Sequence, residues 1–284
     1  MSIANSVYSN GYSSLYCGDS REVLKGIPIE SIQCVVTSPP YWTLRNYQIK
    51  GQLGLEPTPE EYCVNIVNVF REVWRVLNPT GTVWLNLGDS YSRGHRTTNT
   101  NDSLRGDTPI NVVRTNVTKG VKPKDLLGMP WRVAFALQKD GWYLRSYIIW
   151  SKPKIRPESV TDRPTKAHEY IFLLTKNQKY YYDADAIKEP SNDGDKRNKR
   201  SVWEITTQTH FETHFATYPE KLVEPCILAG TKPGDTVLDP FVGSGTTCAV
   251  SQKLGRQSIG IDASAKYLEL AKKRIGKVSL PMLV

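Results

Sequence analysis

Sulfur and imidazole are scarce in this chain: its 284 residues include five cysteines, four histidines and three methionines. Cys17, Cys34, Cys63, Cys226 and Cys248 stand singly, and no two form a Cys-x-x-Cys pair. The odd count and the scatter argue against a disulfide framework. His95, His168, His210 and His214 lack zinc spacing, and His210 and His214 have no third ligand nearby, so no metal site is expected. No run approaches the roughly 18 apolar residues of a membrane span. The opening, MSIANSVYSNGYSS, lacks the charged-then-apolar order of a secretory leader. A cytoplasmic protein without membrane attachment is the expectation. Acidic residues are also outnumbered, 28 against 37 Lys and Arg, for a formal charge of +9. That balance leans toward a polyanionic partner.

What is present is an alternation of strand and helix patterns. Leu15 to Asp19 reads as a short strand ending in an acid, with Ser20 capping a brief helix. Ile32 to Val36 is a continuous apolar strand that runs into Thr37-Ser38-Pro39-Pro40-Tyr41-Trp42. Thr58-Pro59-Glu60-Glu61 opens a helix with a capping pair and proline at its first position. Asn78-Pro79-Thr80-Gly81 is expected to stop that helix before a strand over 82–87. Helix over 126–137 and strands over 142–150 and 170–174 follow. The last third alternates regularly: helix 219–228, strand 236–238, a helix from Gly245 or Thr246 to Leu254, strand 257–261, helix 264–275. Such alternation predicts an α/β fold, a doubly wound and mostly parallel sheet covered on both faces. Two stretches lose apolar periodicity, about 90–124 and 183–213, and the second carries Lys196-Arg197-Asn198-Lys199-Arg200.

Asp239-Pro240-Phe241-Val242-Gly243-Ser244-Gly245-Thr246-Thr247 is a strand end, a glycine turn and a helix start, a good cradle for a nucleoside ligand. Gly243 and Gly245 remove side chains where the backbone turns tightly. Asp262 ends the next strand, where a carboxylate can accept from ribose hydroxyls. Cys248 stands where a dinucleotide motif has its third glycine, and no Gly-Lys-Ser/Thr follows, which excludes a P-loop. At the other end of the chain, Ser38 Oγ and the Pro39 carbonyl can accept the hydrogens of an aromatic amine. Two acceptors draw the nitrogen's lone pair out of conjugation as positive charge develops. Consecutive Pro39 and Pro40 stiffen the turn and remove two N–H donors. Tyr41 offers a face for stacking on a base.

Both motifs resemble those of S-adenosylmethionine-dependent DNA amino-methyltransferases of the permuted β group, with the catalytic motif first and the cofactor motif last. Ser38 at the lead of Ser-Pro-Pro-Tyr, with Trp42 after it, is similar to the cytosine-N4 enzymes. The resemblance implies a seven-stranded, Rossmann-like class I methyltransferase sheet, circularly permuted. It implies a catalytic half over 1–182, a target-recognition insertion over 183–213 and a cofactor half over 214–284. Implied cofactor residues are Asp19, Asp239, Phe241, Gly243, Gly245, Thr246, Thr247 and Asp262, with Phe241 against S-adenosylmethionine and Asp262 on its ribose. Implied DNA contacts are Trp42, Arg45, Arg93, Arg96, Lys196, Arg197, Lys199 and Arg200 on a flipped-out site in double-stranded DNA. The same resemblance admits a homodimer and a companion restriction endonuclease that is not physically required.

Cytosine C5 chemistry is disfavoured, because Pro225-Cys226 lies inside a helix at the spacing of apolar neighbours and no Glu-Asn-Val follows. An adenine-N6 enzyme on the same scaffold remains the alternative. A catalytically silent DNA-binding subunit and an RNA or protein methyltransferase are the readings of other classes.

Overall fold

The computed structural model describes residues 6–49, 51–92, 121–155, 157–191, 193–207 and 218–279. The chain enters through strands β1 (Tyr8–Ser9) and β2 (Ser13–Cys17), helix α1 (Ser20–Val23) and strand β3 (Ile32–Thr37). Helix α2 (Pro59–Val76) leads to β4 (Leu77–Leu87), and α3 (Met129–Lys139) to the hairpin β5 (Tyr143–Ser151) and β6 (His168–Thr175). Short strands β7 (Glu189–Pro190), β8 (Lys196–Arg197) and β9 (Val202–Glu204) precede the regular last third. That third is α4 (Glu220–Gly230), β10 (Thr236–Asp239), α5 (Thr246–Lys253), β11 (Gln257–Asp262) and α6 (Ala265–Gly276).

One sheet carries the order β1-β2-β11-β10-β3-β4-β6-β5-β9. Its seven inner strands match the expected number; the two additions are short edge strands of two and three residues. From β2 to β4 every neighbouring pair is parallel, and β6 runs against both β4 and β5. Strand order reverses between β10 and β3: the chain moves outward from β10 to β11 and from β3 to β4. A reversal of this kind opens a crevice at the carboxyl ends of the strands, where α/β folds bind ligands. Both sequence motifs sit on those two strand ends.

Burial on both faces explains the continuous apolar runs. Val35, Val83, Leu85, Phe172 and Leu174 pack beneath α2 and α3 with Ile66, Phe70 and Val133. Their alternates Cys34, Val36, Trp84, Ile171 and Leu173 face the opposite way, against Leu222, Cys226 and Ile227 of α4. Cys226 is therefore a core residue, 1% exposed. Among the described residues no helix is long and apolar enough to cross a membrane.

Three local expectations are corrected. Asp19, not Ser20, caps α1: its carboxylate accepts from the Arg21 amide at 2.9 Å, while Ser20 Oγ donates to the Pro240 carbonyl. Asn78-Pro79-Thr80-Gly81 does not separate helix from strand. Leu77 is already extended and pairs with Ile32, and the four residues form a register shift before Thr82 pairs with Cys34. Residues 202–204 join the main sheet beside β5. Val202 and Glu204 are exposed while Trp203 is buried, an alternation too short to stand out as a strand in sequence.

Candidate active site

Strand β3 ends at Thr37, and the next residues turn across the crevice. Thr37 is fully buried and its hydroxyl donates to Asp239 Oδ1 at 2.7 Å. Pro40's carbonyl accepts from Tyr62 at 2.9 Å. No donor among the described residues reaches the Pro39 carbonyl, so one of the two expected acceptors is open. Trp42 is 2% exposed, and its indole donates to the Glu56 carbonyl in the core under α2. It is unavailable to DNA, which corrects the expectation: an aromatic after the turn is equally suited to anchoring the turn from below.

Ser38 belongs to a directed network. Its hydroxyl donates to Tyr41 Oη at 3.2 Å, and Tyr41 donates to Glu169 Oε2 at 2.7 Å. The Asn86 amide donates to Tyr41 Oη at 2.9 Å and to Glu169 Oε2 at 3.0 Å, with a longer 3.4 Å contact to Ser38 Oγ. Lys152 forms an ion pair with the other oxygen of Glu169. Burial pushes the Glu169 carboxyl up, but the Lys152 charge and the donors from Lys152, Tyr41 and Asn86 outweigh it and hold it below the usual range. Tyr41 is held well above the phenol range by burial and by the Glu169 charge beside it. Gly88 makes room, since a Cβ there would lie 2.7 Å from the Tyr41 ring and 3.2 Å from Glu169 Cδ.

Asn86 Oδ1 is buried without a partner. An orphaned buried acceptor costs about 1–3 kcal/mol. Turning the amide over would set its carbonyl against the Glu169 carboxylate, so the orphan is the better of the two arrangements. Neither Asn86 nor Glu169 was among the expected site residues. Asn86 could have been suspected as the one polar side chain in Val83-Trp84-Leu85-Asn86-Leu87. Glu169 meets Tyr41 across 128 residues of sequence, a pairing no local pattern contains.

On the other side of the crevice, Asp239 is 1% exposed, and both its oxygens are taken. Oδ1 accepts from Thr37 and from the Phe241 amide at 3.0 Å; Oδ2 accepts from Tyr218 and Thr247, each at 2.7 Å. Burial pushes its carboxyl above the usual range, and these donors offset only part of that push. The Thr246 hydroxyl contacts the Arg274 guanidinium. The side chains of Asp239, Thr246 and Thr247, expected among the cofactor residues, are thus committed to protein partners, and Asp239 joins the two motifs directly. Gly243 and Gly245 have φ of 49° and 83°, and a Cβ at Gly245 would lie 2.8 Å from Ala271 of α6. Ser244 Oγ between them is buried and has no partner.

Asp262, at the end of β11, accepts from Gly243 N at 3.0 Å and Ser264 N at 2.8 Å. Burial pushes its carboxyl up to about 6. Phe241 is half-buried at the crevice edge. Asp19 pairs with the Arg21 guanidinium, which also reaches the Gly51 carbonyl at 3.2 Å. The unpartnered Ser244 hydroxyl and Pro39 carbonyl, the glycine backbone and the carboxylates of Asp19 and Asp262 stand at these strand ends, a set of donors and acceptors that fits a polar nucleoside.

The expected DNA contacts divide. Arg93 and Arg96 lie outside the described residues. Arg45 is partly exposed. Lys196 is exposed, whereas Arg197 and Arg200 both bind Glu189 Oε1, and Lys199 lies over the Trp203 ring. The basic run is therefore anchored to the sheet edge by its own contacts.

A protein-family model described as DNA methylase matches residues 32–273. The chain is 52% identical over 260 residues to the Type II methyltransferase M.SmaI of Serratia marcescens, covering 91% of this chain and 89% of that protein. It is 49% identical over 263 residues to M.Cfr9I of Citrobacter freundii, covering 93% and 87%. Its fold is similar to that of a Thermus thermophilus protein, assigned as a DNA modification methylase and solved with S-adenosyl-L-methionine. That likeness has a TM-score of 0.64 at 25% identity, covering 95% of each chain. PvuII DNA methyltransferase, which is cytosine-N4-specific, shares the fold with a TM-score of 0.73 at 22% identity over 98% of this chain and 90% of that one.

Proposed function

The chain belongs to the DNA methylase family, and from that premise we propose that it methylates the exocyclic N4 amine of cytosine in duplex DNA. It is a methyltransferase, and its cofactor is S-adenosylmethionine, which when bound supplies an electrophilic methyl carbon on a sulfonium. The observation that carries the reading is the Asp239 bridge: it ties the Ser-Pro-Pro-Tyr turn to the glycine loop at the point where strand order reverses. Methyl acceptor and cofactor would meet there.

In this reading Ser38 Oγ and the Pro39 carbonyl receive the two amine hydrogens and aim the nitrogen's lone pair across the crevice. Ser244, Asp262 and the backbone of 243–245 hold the cofactor, with Phe241 against it and Asp19 toward its far end. The target base leaves the stack at a cost of a few kcal/mol. Stacking on Tyr41 returns roughly 1–3 kcal/mol, so phosphate contacts must supply the remainder. Residues 183–213 and about 90–124, together with Arg45, are the regions proposed to read and grip DNA. Cytosine is favoured over adenine by the Ser38-Pro39-Pro40-Tyr41-Trp42 form of the turn. A restriction endonuclease of the same specificity is the proposed companion, as the Type II relatives suggest.

The test is to incubate purified protein with duplex DNA and the cofactor, digest to nucleosides and identify the product by mass spectrometry. N4-methylcytosine is expected; N6-methyladenine as the sole product overturns the base assignment. Failure of RNA to compete with duplex DNA is the expected control.

A further inference from the structure

Methylating an aromatic amine raises two requirements that Ser38 cannot meet alone. A hydroxyl can donate as readily as accept, so something must turn its proton away from the amine. The reaction also leaves a surplus proton. The bond made is N–C and the bond broken is methyl–sulfur, whose electron pair stays on sulfur. The sulfonium's positive charge therefore ends on the amine, which must release a proton. Resting on the reading above, we propose that Glu169 is a positioning residue that fixes Ser38 as an acceptor and receives, through Tyr41, the proton the amine loses.

The geometry dictates the direction of each bond. Glu169 is ionised beside Lys152 and can only accept. Tyr41 has one proton, and at 2.7 Å from Glu169 Oε2 it is committed there. Asn86 donates to Tyr41 Oη and to the same carboxylate oxygen, so it cannot take Tyr41's proton. Tyr41's remaining lone pair can then only accept, and the donor within reach is Ser38 at 3.2 Å. With its single proton turned inward, Ser38 presents lone pairs to the pocket, as an amine hydrogen requires. The unpartnered Asn86 Oδ1 is the independent mark of this polarity, because the amide keeps both donors on the chain at its own carbonyl's expense.

The same chain conducts the proton out. The amine's proton passes to Ser38 Oγ as Ser38's passes to Tyr41 and Tyr41's to Glu169. No hydroxyl is left charged, the base product is neutral, and the carboxylate becomes a carboxylic acid. Glu169 retains 15% side-chain exposure and Lys152 16%, an outlet from the acid to water.

The test begins without turnover. Infrared difference spectra between wild type and Tyr41→Phe isolate the Tyr41 C–O stretch, which distinguishes a donating hydroxyl from an accepting one. A Tyr41 that donates to Glu169 while accepting from its neighbours is expected in wild type, and one that only accepts overturns the proposal. In Glu169→Gln, Lys152 draws the amide oxygen and leaves the amide nitrogen toward Tyr41, so the band is expected to shift to the accepting position; an unshifted band in the folded variant overturns the proposal. In single-turnover assays Glu169→Gln is expected to slow methyl transfer by roughly 100-fold or more, with cofactor affinity by calorimetry within about twofold, and Glu169→Asp to recover part of the rate. The double variant Tyr41→Phe/Glu169→Gln should be no slower than Tyr41→Phe alone; additive losses would mean that Glu169 does not act through Tyr41. Failure of the methylation reading itself would appear separately, as the absence of N4-methylcytosine from wild type with the infrared result unchanged.

Discussion

Ser38 and Asp262 are both oxygen acceptors, but their surroundings give them different sensitivities. Among the described residues Ser38 has no hydrogen bond to the glycine loop, so Ser38→Ala is expected to leave cofactor affinity within about twofold while turnover falls by roughly 100-fold or more, the usual cost of removing a transition-state hydrogen-bond partner. Calorimetry alongside single-turnover rates checks this; equal loss of both would make Ser38 a structural residue. Asp262 carries a carboxyl pushed up to about 6 by burial. In the proposed site ribose hydroxyls donate to its ionised form, so binding should pull its protons off and affinity should weaken as pH falls through about 6. Calorimetry between pH 5 and 8 should show that loss, and Asp262→Asn should flatten it. The sign for the empty protein is opposite. The folded state binds this proton more tightly than the unfolded chain, so the group's contribution to stability rises as pH falls through 6 toward the ordinary carboxylate range.

Between elements, the contact that matters most is Asp239 holding β3, β10, α5 and the Tyr218 segment together through four donors. Thr37→Val removes one of them and leaves a buried carboxylate short of a partner, a loss expected at about 1–3 kcal/mol. Denaturant unfolding with an unchanged slope measures it. Gly245→Ala should be as damaging for a different reason. Its φ of 83° disfavours a side chain, and the new Cβ would sit 2.8 Å from Ala271 Cα, so α6 must move. A lowered melting temperature together with weakened cofactor binding is the expected outcome. Element boundaries were legible where local chemistry marks them. Thr58 caps α2 with proline behind it, and Ser264 caps α6 by the same kind of bond. They were illegible where pairing overrides a breaker: Leu77 passes from helix to strand because Ile32 is there to pair with it.

Across the whole molecule, β10 and β3, the strands that end in the two motifs, lie side by side, an adjacency that no local pattern in the sequence contains. Alternating strand and helix patterns carried the two-faced sheet. What long-range contact alone decides was not readable. Glu169 and Asn86 reach Ser38 and Tyr41 from the antiparallel β6 and from β4, and Trp42 turns out to be a core anchor. The basic run at 196–200 was visible as charge, but its tethering by Glu189 and Trp203 depends on how the chain folds back beside β5. These contacts set the Ser38 network on one side of the crevice and the glycine loop on the other, the two halves of the proposed site. The claim that most needs testing is that the methyl group lands on a cytosine amine. A duplex whose cytosines carry nitrogen-15 at the exocyclic amine, treated with the protein and cofactor and then digested, answers it by tandem mass spectrometry. The new methyl is expected on the fragment holding the labelled nitrogen; a methyl on adenine, or on a ring carbon of cytosine, would contradict amine methylation of cytosine.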